Sequence, residues 1–337
     1  MKTIAFFNNK GGVGKTTLLY HLAWMYSELG LRTVAFDLDP QSNLTSMFLS
    51  EDRLNDLWVN PTDGKTIVAA VAPLLEEGTG DVQLPHLEPI SKNLALVPGD
   101  LGLARMEDEL SAQWPKCLEG VAKAFRITSA FHRVITLATK EFGADLALID
   151  VGPNLGALNR CAMIASDHVA VPLVPDLFSL QGLRNLGPSL HKWRSGWEKR
   201  LGEKPDNLTD LPGGAMKPAG YIVLQHAVRQ SRPVKAYLRW AEQIPAEYRR
   251  AMRLVPIRPS VTVTLDDDPH CLAQLKHYRS LMPLAMEARK PIFQLKPADG
   301  AIGAHVVAVE ECRKDFHRLA IRLAKATELA LPPSTEI

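Results

Sequence analysis

Apolar and polar positions alternate along this chain in blocks that read as strands and helices. Ile4 to Phe7 is a short apolar run that ends in polar and glycine residues, as a buried strand feeding a turn does. From Thr16 to Leu29, apolar residues recur at helical spacing (Leu18, Leu22, Met25, Leu29), and Gly30 stops the helix. "RTVAFDLD", residues 32–39, is a second apolar strand, ending in acids. A strand, loop, helix and strand within 40 residues predict a parallel sheet. Further strands are expected at 94–98, 144–150, 168–175, 221–226 and 272–277. Helices are expected at 66–76, 103–110, 128–141, 179–194 and 304–329, with another after Pro233. Residues 202–218 carry repeated Gly and Pro and read as a surface loop, while 244–275 has no clear period. No repeat divides the chain. The reading is an α/β fold with a mostly parallel twisted sheet flanked by helices. It is one domain over 1–330, with elaborations at about 50–93, 195–218 and 240–275, and a short tail at 331–337.

Between the first strand and the first helix lies "NNKGGVGKTT", residues 8–17. Gly11, Gly12 and Gly14 let backbone N–H groups curl round an anion, and the helix that follows points its positive end at it. Val13 completes the turn. Lys15 is placed to reach phosphates, and the hydroxyls of Thr16 and Thr17 open the helix, that of Thr16 suited to a Mg2+ ion. The common loop pattern G-x-x-x-x-G-K-[ST] would place glycine where this chain has Asn9, and an extra lysine, Lys10, follows. Asp37 and Asp39 end the second strand and Asp150 ends another. Acids at the carboxyl ends of neighbouring parallel strands can hold a metal and aim a water at a phosphate.

Composition adds only limits. Formal net charge is +2 over 337 residues, so any nucleic-acid surface must be local. The segment 229–290 holds 12 Lys and Arg against 6 Asp and Glu, a net +6 that leaves the rest acidic. Four scattered cysteines, Cys117, Cys161, Cys271 and Cys312, form no C-x-x-C and read as reduced, buried thiols. No apolar stretch approaches a membrane span, and the first residues are too short for a signal-peptide core.

"KGGVGKTT" together with "DLDPQSNLT" (37–45), "LIDVGPNLG" (148–156) and "LVPDLFSLQGL" (173–183) resembles the ParA/MinD superfamily of deviant Walker P-loop ATPases, and the ParA-type partition ATPases within it. The likeness runs to about residue 190 and resumes at "GYIVLQH" and "ARKPIFQL". It implies ATP and Mg2+ as cofactors. It implies that Lys10 is the signature lysine, reaching the nucleotide of a partner subunit in an ATP-bound homodimer, so that Asn9 is no defect. It implies Asp39 as the acid acting on the attacking water, and Asp37 and Asp150, with Thr16, as the metal shell. The family often has two prolines after the Asp150 position; here Gly152 replaces the first, which is expected to loosen the γ-phosphate-sensing loop.

The resemblance also implies non-specific double-stranded DNA binding, with Arg229, Arg232, Arg279 and Lys290 as candidate contacts. It implies a ParB-like adaptor as stimulating partner and a cytoplasmic, nucleoid-associated protein. The chain begins at its first strand, without the helix-turn-helix extension of longer relatives, so sequence-specific operator binding is not expected of it. Positioning of a protein cargo is an alternative. A membrane-cycling MinD-like role fits less well, since no bulky amphipathic tip follows the last helix. An iron–sulfur role of the nitrogenase iron-protein type lacks paired cysteines.

Overall fold

A computed structural model describes residues 1–58, 64–75, 80–226, 228–229, 232–233, 235–254, 263–278 and 280–333. Its first elements are β1 (Lys2–Phe6), α1 (Lys15–Glu28), β2 (Thr33–Asp37), α2 (Asn43–Phe48), α3 (Glu51–Trp58), α4 (Ile67–Leu75), β3 (Glu88–Ser91) and β4 (Leu94–Val97). Then come α5 (Met106–Lys116), α6 (Ala122–Thr128), α7 (Ala130–Phe142), β5 (Leu146–Asp150), α8 (Ala157–Ile164), β6 (His168–Leu173), α9 (Leu177–Gly202) and β7 (Lys217–His226). The last are β8 (Val228–Arg229), β9 (Arg232–Pro233), α10 (Lys235–Ala241), α11 (Ile244–Ala251), β10 (Cys271–Lys276), α12 (Leu281–Ala288) and α13 (Ala304–Ala326).

Eight strands form one sheet in the order β10-β7-β6-β1-β5-β2-β4-β3. All neighbours pair parallel except β3, which runs antiparallel to β4 at one edge. The expected sheet is therefore present. β1 lies centrally, with its last residue, Phe6, in register with Asp150 of β5. Asp150 is in turn in register with Asp37 of β2. The register alone brings two acids side by side at the carboxyl edge.

Alternation along the strands sorts side chains to two cores. Ala5 and Phe7 enter one with Val34, Phe36, Ala147 and Ile149, covered by α4 to α9 and α11. Ile4 and Phe6 enter the other with Ala35, Leu146 and Leu148, covered by α1, α2, α12 and α13. Both faces of the sheet are thus apolar, which is why its strands read as unbroken apolar runs.

Some expectations shift. The helix expected at 128–141 is α7, and a separate short helix, α6, precedes it and meets it at Ser129, whose hydroxyl donates to the Phe125 carbonyl. α9 runs on to Gly202, well past residue 194, because Leu190, Trp193 and Trp197 continue its buried face. β3 is polar, contains Pro89 and sits at an edge, so it carried no strand signal. Helices α2, α8 and α12 are each eight residues or fewer, too short to show a period. The unclear stretch 244–275 holds α11 and the start of β10. All four cysteines are buried and unpaired. Among the described residues, no helix is long and apolar enough to cross a membrane.

Candidate functional site

The loop between β1 and α1 is held from below before any ligand is considered. The buried Asn8 side chain donates to the Pro172 carbonyl of β6 at 2.6 Å and accepts from the Lys10 N–H at 2.9 Å. Gly12 and Gly14 take φ values of 70° and 94°, which L side chains rarely adopt. Asn9 has no positive φ, so the loop does not require glycine there. Its side-chain oxygen instead lies 2.5 Å from where a Cβ on Gly182 of α9 would stand. The missing glycine of the common pattern is thus replaced by a packing contact.

Gly14 caps α1, and Lys15 follows as its first residue. Lys15 is buried, and burial lowers its pKa from the ordinary lysine value, against the opposing pull of Asp150 and Asp39. The Thr16 hydroxyl donates to Asp150 Oδ2 at 2.7 Å. Asp150 Oδ1 is buried with no hydrogen-bond partner among the described residues. Burial, with the neighbouring Asp37, raises the Asp150 pKa to about 8. An orphaned carboxylate oxygen beside a threonine hydroxyl and a phosphate-type loop fits a Mg2+ ion that takes its remaining ligands from phosphate and water.

Asp37 is placed differently. Its Oδ2 accepts from the Thr45 N–H at 2.8 Å and the Thr45 hydroxyl at 2.7 Å, and its Oδ1 from the Asp39 N–H at 3.3 Å. Burial raises its pKa to about 6 against those bonds. Asp37 therefore ties β2 to α2 and holds the turn that carries Asp39. Asp39 Oδ1 accepts from the Gln41 N–H at 3.0 Å.

The loop after β5 is not slack, contrary to the expectation for Gly152. The Asn159 amide of α8 donates to the Gly152 carbonyl at 2.7 Å and the Asn154 carbonyl at 2.6 Å. A Cβ on Gly152 would stand 3.3 Å from Asp39 Oδ1, so the loop lies against that carboxylate.

Lys10 projects from the loop and forms an ion pair with Asp176, the N-cap of α9, whose Oδ1 accepts from the Ser179 N–H at 2.8 Å. Its ammonium also lies 5.9 Å from the Phe178 ring, and Phe178 is 71% exposed. Leu177 and Leu155 are exposed as well.

A pocket of about 180 Å3 adjoins the loop, lined among others by Gly14, Thr17, Leu224, Tyr278, Met282 and Phe316. Leu224, Tyr278, Met282 and Phe316 come from segments far from the loop, so no local pattern announced them. The same holds for Asn159 and for Glu107, whose carboxylate reaches α8.

The basic segment is less free than its linear charge suggests. Arg249 pairs with the buried Asp268 at 2.7 Å, Arg250 with Glu247 at 2.7 Å, and Lys276 with Glu311. Lys290 meets both oxygens of Asp299, at 2.7 and 2.9 Å, and so is committed within the chain. Arg229 and Arg232 are backbone partners across β8 and β9. Arg279 lies outside the described residues.

Residues 1–202 match the family model described as AAA domain. Protein IncC of Escherichia coli is 33% identical over 192 residues, which cover 55% of this chain and 44% of IncC. The chromosome-partitioning ATPase Soj of Thermus thermophilus is 32% identical over 201 residues, covering 60% of this chain and 66% of Soj. The matches thus span about half to two thirds of these relatives. Protein DIP2308 of Corynebacterium diphtheriae superposes with a TM-score of 0.70 at 21% identity, covering 97% of this chain and 98% of that one. An ATP complex of McdA from Cyanothece gives 0.61 at 13% identity, covering 98% of each. These two likenesses bear on the fold. With the glycine loop, the paired acids and the sheet order in place, the chain belongs to the AAA-domain family and to the ParA/MinD superfamily of P-loop ATPases.

Proposed function

We propose that this chain is an ATP-dependent partition ATPase, a single ATPase domain over 1–330. Its ATP-bound homodimer binds double-stranded DNA non-specifically and lets go on hydrolysis. The observation that carries the reading is the meeting of Lys15, Thr16, Asp39 and Asp150 at one loop, anchored by strand register.

The loop amides of Gly11 to Thr17 and the N-terminus of α1 bind the phosphates, with the Lys15 ammonium neutralising them. Lysine desolvated by burial gains most from an arriving anion, since its own charge is poorly solvated beforehand. A bound Mg2+ would supply charge neutralisation at the β- and γ-phosphates, held by the Thr16 hydroxyl and Asp150. Asp39 orients and activates the attacking water, with Asp37 fixing the turn that carries it. The pocket beside Gly14 and Thr17 takes the base.

Lys10 then serves the nucleotide of a second copy. Lys10 beside the exposed Phe178, with the neighbouring Leu177 exposed as well, gives this face a cation next to apolar side chains, suited to a buried contact that ATP completes. Each subunit's nucleotide thereby favours the dimer, and hydrolysis weakens it. Arg229 and Arg232, opposite each other on β8 and β9, support DNA-phosphate binding. A ParB-like adaptor stimulates hydrolysis, and the protein is cytoplasmic and nucleoid-associated. The test is direct: ATP and Mg2+ should convert monomer to dimer in gel filtration, and only that dimer should retain random duplex DNA. Liposome capture without DNA capture would favour a membrane-cycling role instead.

A further inference from the structure

The loop from Val151 to Gly156 joins Asp150 to α8 and lies against Asp39. Its far end is fixed by a residue from another helix. Glu107 of α5 accepts from the Ala157 N–H at 2.5 Å through Oε1 and from the Leu158 N–H at 2.9 Å through Oε2. The α8 N-cap is Gly156, which has no side chain to offer, and the first turn of α8 holds no acid of its own. Glu107 therefore supplies both the missing cap and the missing negative charge from outside.

Space at Gly156 is shaped around this contact. A Cβ there would stand 2.5 Å from Glu107 Oε1 and 2.9 Å from Asn154 Oδ1. The φ of Gly156 is −79°, so glycine is needed for room and not for backbone conformation. From the helix so anchored, Asn159 reaches back to the Gly152 and Asn154 carbonyls. The connections run in series: Glu107 holds α8, α8 holds the loop through Asn159, and the loop packs on the carboxylate of Asp39.

We infer that Glu107 and Asn159 are positioning residues for hydrolysis, fixing the loop beside Asp39 without touching the nucleotide. This rests on the reading of the site as an ATPase. Loss of either should misplace the loop by an amount that matters to an in-line attack while leaving the phosphate-binding loop intact. Displacements of about 1 Å in such settings cost on the order of a hundredfold in rate.

The experiment compares E107A, E107Q and N159A with the parent chain in steady-state ATP hydrolysis with Mg2+. The expected result for E107A and N159A is a kcat at least about tenfold lower with KM for ATP unchanged within about twofold. E107Q keeps an acceptor oxygen for one N–H and should recover part of the rate. Hydrogen exchange reads the anchoring without catalysis. E107A should speed exchange across 152–158 and leave α1 unchanged. If kcat is retained while only the melting temperature falls, Glu107 is a helix cap alone and the inference fails. It fails too if KM rises in step with the loss of kcat. If the parent chain hydrolyses no ATP, the ATPase reading fails, and exchange across 152–158 still decides the anchoring. If E107A does not fold, E107Q and N159A carry the comparison.

Discussion

The hydroxyl of Thr16 donates to Oδ2 of Asp150 at 2.7 Å, across 134 residues of chain. One partner opens α1 and the other ends β5, so this single bond joins the phosphate loop to the sheet's acidic edge. The second oxygen of Asp150 is buried and has no partner among the described residues.

That oxygen makes the nucleotide-free protein sensitive to pH. Burial raises the Asp150 pKa to about 8 and the Asp37 pKa to about 6, above the unfolded value near 3.8. The folded state therefore binds protons more tightly than the unfolded state. Stability from these groups is fully present below about pH 4 and is lost as pH rises through 6 and 8. Asp150→Asn removes the larger burden. It should raise the melting temperature of the nucleotide-free protein by a few degrees at pH 8, about 1–2 °C per kcal/mol for a chain of this size, and by less at pH 5. Calorimetry at the two pH values checks this; equal shifts would count against a buried, ionising Asp150.

Asp39 and Lys15 should separate chemistry from binding. Asp39→Ala should lower hydrolysis by about 100-fold or more, in line with removal of a general base, while retaining ATP affinity. Lys15→Ala should weaken nucleotide binding itself. Equilibrium binding of a fluorescent ATP analogue alongside phosphate release tells the two apart.

Lys10 is paired with Asp176 within the chain, beside the exposed Phe178. Lys10→Ala should abolish ATP-dependent dimerisation while sparing nucleotide binding by the monomer. Sedimentation of the Asp39→Ala background, in which the ATP-bound form persists, gives the clearest readout. Normal dimerisation would remove Lys10 from the interface.

Arg229 and Arg232 should act on DNA as phosphate contacts do. Replacing either with alanine should weaken binding to random duplex DNA about equally for all sequences. The slope of log affinity against log salt should fall by about one per residue. Lys290→Ala should change DNA affinity little, because its ammonium is held by Asp299. A Lys290 effect as large as that of Arg229 would show that the pair opens on DNA.

The strand-loop-helix-strand order and the glycine turn that opens α1 were legible in the sequence, because both depend on local spacing. Apolar runs of strand length predict β1, β2, β5 and β6 whatever lies around them, and glycines at 12 and 14 predict a turn with positive φ. The acids at 37 and 150 could be seen to end strands, with Asp39 just beyond β2, but not to differ. Only the parallel register set Asp37 beside Asp150, and only the fold turned Asp37 toward Thr45 while leaving Asp150 an open oxygen. Tertiary structure likewise revised the charge count, since Asp299 and Glu311 fold onto lysines of a segment that looked freely basic. It alone supplied Glu107 and Asn159, whose partners lie about 50 and 7 residues away in the chain. The sequence determined which short segments could form and where a glycine turn would open the first helix. The tertiary structure decided which oxygens stay unpaired and which cations are spent, because both depend on contacts that no local spacing encodes.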